Sequence, residues 1–106
     1  MNTEHAQRVV DFQEVRRIPL TAVLEYLGEL ARLKRVGSSL VGGCPICGGK
    51  SRRKFTVSYT KTPQLWKCFD PAHNSGGDAL AFVSEYHKVD ITEAGKLIAR
   101  WLIGPH

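Results

Sequence analysis

The chain has 106 residues, a formal charge of +5 and 42% hydrophobic residues. That length bounds it to one small domain with a thin core, of a size that often needs a disulfide or metal staple. The charge points to an anionic partner, nucleic acid first, and the lack of any long apolar run or signal-peptide core excludes a membrane span and predicts a cytoplasmic protein.

Residues 1–11 are polar and mixed and are expected to form a flexible arm, with residues 12–106 making a single domain. Phe12, Val15 and Ile18 suit a short helical turn. Leu20, Val23, Leu24 and Leu27 then recur at i, i+3, i+4, i+7, which predicts a helix opened by Pro19 and Thr21 and stopped at Gly28. Leu33, Val36, Leu40 and Val41, broken at Gly37-Ser38-Ser39, predict a β-hairpin. Phe55, Val57 and Tyr59 alternate with polar residues and predict a strand, Thr60 to Gln64 a turn, and Leu65 to Phe69 the returning strand. Residues 70–77 read as a loop. A helix is expected from an Asp78 cap to His87, and a last one from a Thr92 cap, with Ile91, Ala94, Leu97, Ile98, Trp101 and Leu102 on its apolar face. The predicted class is α+β: a small zinc-ribbon-like antiparallel sheet flanked by helices at both ends.

Three cysteines cannot close a disulfide framework without leaving a thiol over. Three thiolates and one imidazole do complete a tetrahedral zinc set, and thiolate–metal sites persist in a reducing cytosol. Cys44 and Cys47 have the two-residue gap that lets one turn present two ligands, with Gly48 and Gly49 following. Cys68 ends a predicted strand and His73 lies five residues on, so the strand pair between the two turns would bring the four together. Asp70 and His87 are rivals to His73 as fourth ligand. A site filled by four protein ligands is structural, with no open position for water or substrate.

From Ala31 to Lys67 there is no Asp or Glu, only Arg32, Lys34, Arg35, Lys50, Arg52, Arg53, Lys54, Lys61 and Lys67 among charged residues. Cations along a strand surface track phosphates, and interleaved aromatics stack on unpaired bases. The expected nucleic-acid contacts are Lys34, Arg35, Lys50, Arg52, Arg53, Lys54, Lys61 and Lys67, with Trp66 as the stacking ring. Alternation puts Trp66 and Cys68 on one face and Lys67 and Phe69 on the other, without saying which face is core.

In order, Gly42-Gly43-Cys44-Pro45-Ile46-Cys47, Lys54-Phe55-Thr56-Val57-Ser58, Trp66-Lys67-Cys68-Phe69, Gly76-Gly77-Asp78-Ala79-Leu80-Ala81-Phe82-Val83 and Thr92-Glu93-Ala94 resemble the zinc-binding domain of DnaG-type bacterial DNA primases. The likeness covers about residues 12–103. It departs at both knuckles: Cys-Pro-Ile-Cys stands where that family typically has Cys-Pro-Phe-His, and Cys68 and His73 replace a Cys-x-x-Cys pair. The histidine has moved to the other knuckle while the set of four stays complete.

The resemblance implies binding of a single-stranded DNA template during replication or priming. Nothing in the chain supplies the acidic cluster of a primase polymerase domain, so no enzymatic activity is expected. A separate polymerase or helicase is the expected partner, and a mobile element a plausible source. The alternative is a protein-interaction adaptor in which zinc only staples the fold.

Overall fold

The structure, a computed structural model, describes residues 11–47, 55–71 and 73–104. Two short helices come first, α1 (Phe12–Arg16) and α2 (Leu20–Tyr26), followed by a 3-10 turn at Leu30–Arg32. Asp11, assigned by the sequence to the arm, instead caps α1 by accepting the N–H groups of Gln13 and Glu14. Gly28 takes a left-handed φ of +77° just past α2, which ends the helix at little steric cost.

The strands are β1 (Lys34–Val36), β2 (Ser39–Gly42), β3 (Phe55–Ser58), β4 (Leu65–Cys68) and β5 (Gly76–Gly77), and they form one antiparallel sheet in sequence order. β5 corrects the expectation of a plain loop over residues 70–77. It pairs with Trp66 and Lys67 through backbone alone. Two glycines carry no side-chain alternation, so nothing in the residue pattern announced a strand.

Helix α3 (Ala79–His87) starts from Asp78, whose carboxylate accepts the Ala81 N–H at 3.0 Å as expected. Helix α4 (Ile91–Ile98) starts earlier than expected. Its cap is Asp90, which accepts the Glu93 N–H at 2.8 Å, and Thr92 lies inside the first turn. Aspartate outcompeted threonine for the cap, in keeping with its stronger preference there. A π-helical turn (Ala99–Ile103) prolongs α4.

The register fixes two faces. Phe55, Val57, Trp66 and Cys68 point inward and are at most 2% exposed, while Thr56, Ser58, Leu65 and Lys67 occupy the opposite face. The inner face packs on α3, with the Phe55, Trp66 and Phe82 rings 5.7–6.0 Å apart. Val15, Leu20, Val23, Leu24, Cys44, Ala79, Leu80, Val83, Ala94 and Ile98 complete the core. Gly95 lies against the Phe12 ring, where a Cβ would overlap ring carbons, so α1 and α4 meet closely. No helix among the described residues is long and apolar enough to cross a membrane.

Candidate metal centre

Chain reversal builds both ligand turns. After β2, residues 44–47 turn so that the Ile46 and Cys47 N–H groups aim at the Cys44 sulfur. After β4, the His73 and Asn74 N–H groups both donate to the Asp70 carbonyl, at 2.9 and 2.7 Å, and the Cys68 N–H donates to the Ser75 carbonyl at 2.8 Å. The longer gap between Cys68 and His73 is thus taken up by a compact loop closed on itself. The Phe55–Cys68 pairing and the Gly42–Phe55 pairing set the two turns side by side at one end of the sheet.

The ligand atoms of Cys44, Cys47, Cys68 and His73 all lie within 4.8 Å of one another. Tetrahedral zinc at its usual bond lengths sets two sulfurs about 3.8 Å apart and a sulfur and a nitrogen about 3.6 Å apart. Cys47 Sγ and Cys68 Sγ are separated by 3.8 Å, and Cys44 Sγ and His73 Nδ1 by 3.7 Å. The four residues therefore fit one structural zinc ion in both chemistry and spacing. Burial pushes the Cys44 thiol up to about 12 and raises Cys68 as well, with backbone N–H groups opposing. A divalent cation reverses that preference, because coordinating thiols are deprotonated outright.

The histidine is held from behind. His73 Nε2 lies 2.7 Å from Glu85 Oε1, and the other Glu85 oxygen accepts the Ser75 hydroxyl. With Nδ1 turned to the sulfurs, Nε2 carries the proton and donates to the carboxylate, the arrangement that fixes tautomer and ring orientation in zinc sites. Sequence reading missed Glu85. Its signal was a lone carboxylate on a helix otherwise apolar toward the core, twelve residues beyond the histidine it serves. Of the rival ligands, His87 is at the far end of α3 with its ring against Tyr86 and Trp101. Asp70 instead shapes the loop through its carbonyl.

Trp66 is a correction. Expected as a stacking ring, it is 2% exposed, donates from Nε1 to the Asp78 carbonyl at 2.9 Å, and lies 6.1 Å from the His73 ring. Its face is taken by core and ligand, leaving none for a base. Next to the sheet's outer face the exposed ring is instead Phe69, 54% accessible, just past β4, with Lys67 Nζ 5.8 Å from its centroid. Lys34, Val41, Thr56, Lys67 and Gly76 form one cross-strand row on the outer face. Arg35 has the opposite parity, at the sheet's edge, and Lys61 lies in the turn at the end of the sheet away from the cysteines. Lys50, Arg52, Arg53 and Lys54 lie outside the described residues, as do Gly48, Gly49 and the arm through residue 10.

Comparison with known proteins agrees with this site. The family model described as the CHC2 zinc finger, a DnaG-type zinc ribbon, matches residues 8–103. A DNA primase of Halalkalibacterium halodurans is 31% identical over 100 residues, covering 94% of this chain and 15% of the relative. A DNA primase of Geobacillus stearothermophilus is 34% identical over 77 residues, covering 73% of this chain and 12% of the relative. The crystal structure of the Aquifex aeolicus primase, comprising zinc-binding and RNA polymerase domains, superposes with a TM-score of 0.68 at 35% identity. That match covers 88% of this chain and 22% of the Aquifex chain. The chain thus spans a small fraction of each relative's length.

Proposed function

The chain belongs to the CHC2 zinc-finger family, and from that premise we propose that it is a zinc-stabilised single-stranded DNA-binding module serving priming in DNA replication. The observation that carries this reading is the outer face of the sheet. It bears Lys34 and Lys67 in one row, Phe69 exposed beside Lys67, and no acidic residue on strands β1 to β4. Among the described residues, the helices pack on the other face. A cationic strand surface with an exposed ring suits phosphates and a stacked base together. The zinc holds β2, β3 and β4 in register beneath that surface and carries out no chemistry, since four protein ligands fill its coordination. A polymerase or helicase is the expected partner in priming.

Fluorescence anisotropy with a labelled oligothymidylate tests this. Affinity should fall steeply with salt, and removing Lys34 and Lys67 together should flatten the slope by about 1.4 in log–log terms. Phe69→Ala should cost about 1–3 kcal/mol of binding with thermal stability unchanged. Binding that ignores salt and all three residues would refute the outer-face reading. Replacing Arg52, Arg53 and Lys54 by Ala then asks whether that cluster adds to the same surface.

A further inference from the structure

At the end of the sheet away from the zinc ligands, the turn joining β3 to β4 faces the α1–α2 junction and the start of α3 across a cleft of about 560 Å³. Ile18, Pro19, Tyr59 and Pro63 form its walls, above Val15 and Leu80. A side-chain clasp builds it: Gln64 Oε1 accepts the Thr21 N–H at 2.9 Å, while Gln64 Nε2 donates to the Tyr59 carbonyl at 2.8 Å. Arg16, Arg17 and Lys61 also line the cleft, and all three are exposed. The ion pairs among the described residues are Arg32 with Glu29 and His73 with Glu85, so none of the three cations is paired with a described acid; the one acid lining the cleft, Asp78, is held as the α3 cap and leaves the cleft net cationic.

We propose that this cleft docks an acidic segment of a partner protein, anchored by one apolar side chain. The walls offer area and little polar readout. Gln64 is spent on the clasp, the Asp78 carboxylate on the α3 cap, and the Tyr59 hydroxyl on the Gly37 carbonyl at 3.0 Å. A nucleobase would find few groups there to satisfy its edges, whereas a Leu or Phe side chain needs none. Three cations beside the cleft match carboxylates flanking that anchor, and such complementarity selects the partner and speeds encounter. The site is separate from the outer face, so an acidic partner and DNA can be held at once. This docking does not depend on the DNA reading.

Two short peptides test it against the zinc-loaded full chain by amide NMR, one with a Leu-Phe pair flanked by aspartates and one with the same pair flanked by lysines. The aspartate peptide should move the Val15, Leu20 and Leu80 amides and weaken with added salt. Changing Arg16, Arg17 and Lys61 to Glu should reduce its affinity by about tenfold or more, and Phe69→Ala should leave it unchanged. Should the triple variant lose its amide dispersion, Lys61→Glu alone and the salt titration of the native chain decide. Equal binding of the lysine peptide, or no shifts at millimolar aspartate peptide, overturns the proposal. Oligothymidylate moving the same amides more strongly also overturns it and gives the cleft to nucleic acid.

Discussion

Cys44, Cys47, Cys68 and His73 hold one end of the sheet through a single point, whereas Phe55, Val57, Leu24, Phe82 and Ile98 hold its inner face through area. The point contact is all-or-none: three ligands without the fourth leave a metal site open and a turn untied. The area contact is divisible, with each buried apolar side chain contributing about 1.5–3 kcal/mol. The two are joined where His73 meets Glu85 on α3 and stacks near Trp66. The sheet is thus held by both means, as is common where a core is thin.

Removing zinc should therefore have the largest effect. Structural zinc is worth on the order of 10 kcal/mol in zinc-finger peptides, comparable to the whole stability of a typical domain. Treatment with a strong chelator, or Cys68→Ser, should abolish the cooperative thermal transition followed by circular dichroism. A chelated protein that melts as the loaded one does would show that area alone suffices. Acid should act in the same direction, because protons compete for the thiolates and imidazole, and a chelating dye should report zinc release as pH falls.

Phe82→Ala probes the other region. Phe82 is fully buried between Phe55, Trp66 and Tyr86, and its truncation should cost about 3–5 kcal/mol. Zinc stoichiometry should stay at one per chain in the surviving folded protein, measured by metal analysis after gel filtration. Loss of zinc from folded Phe82→Ala would mean the two regions are less separable than their geometry suggests.

Glu85→Gln tests the joint between them. It keeps the shape and removes the charge behind His73, so zinc affinity should fall about 10- to 100-fold in competition with a chelator, roughly 1.4–2.7 kcal/mol. The melting of fully loaded protein should change much less than with Phe82→Ala. An unchanged affinity would place Glu85 in the helix layer alone, bonded to Ser75 and of no consequence to the metal.

These regions were not equally legible in the residues. The four ligands could be read from spacing, because a shared metal leaves a sequence rule behind. Strands β3 and β4 could be read because one buried face imposes a period of two. The direction of that face could not, since alternation is symmetric, and Trp66, expected to stack on a base, is packed inside. β5 was invisible because glycine pairs by backbone only. Glu85 was invisible because a helix had to bring it back to a loop twelve residues earlier. Local order left its mark in the chain, and what tertiary proximity made did not.

The smallest expected effect isolates the helical region from the metal altogether. Lys88 ends α3 in the left-handed conformation, at φ 57° and ψ 50°, with its N–H donating to the Ser84 carbonyl. A Cβ there costs about 1–2 kcal/mol, which Lys88→Gly relieves, while glycine's extra freedom in the unfolded chain takes back about 0.4–1 kcal/mol. The balance lies between about zero and about 1.6 kcal/mol of gain, centred on roughly 0.8 kcal/mol and visible as a rise of a few degrees in Tm. Lys88 is exposed and pairs with no acid among the described residues, so no attraction is lost. Because the change touches neither His73 nor Glu85, zinc affinity should be identical to that of the parent chain. A shift in zinc affinity would mean that strain at the end of α3 reaches the metal through the helix, and the two regions would then have to be treated as one.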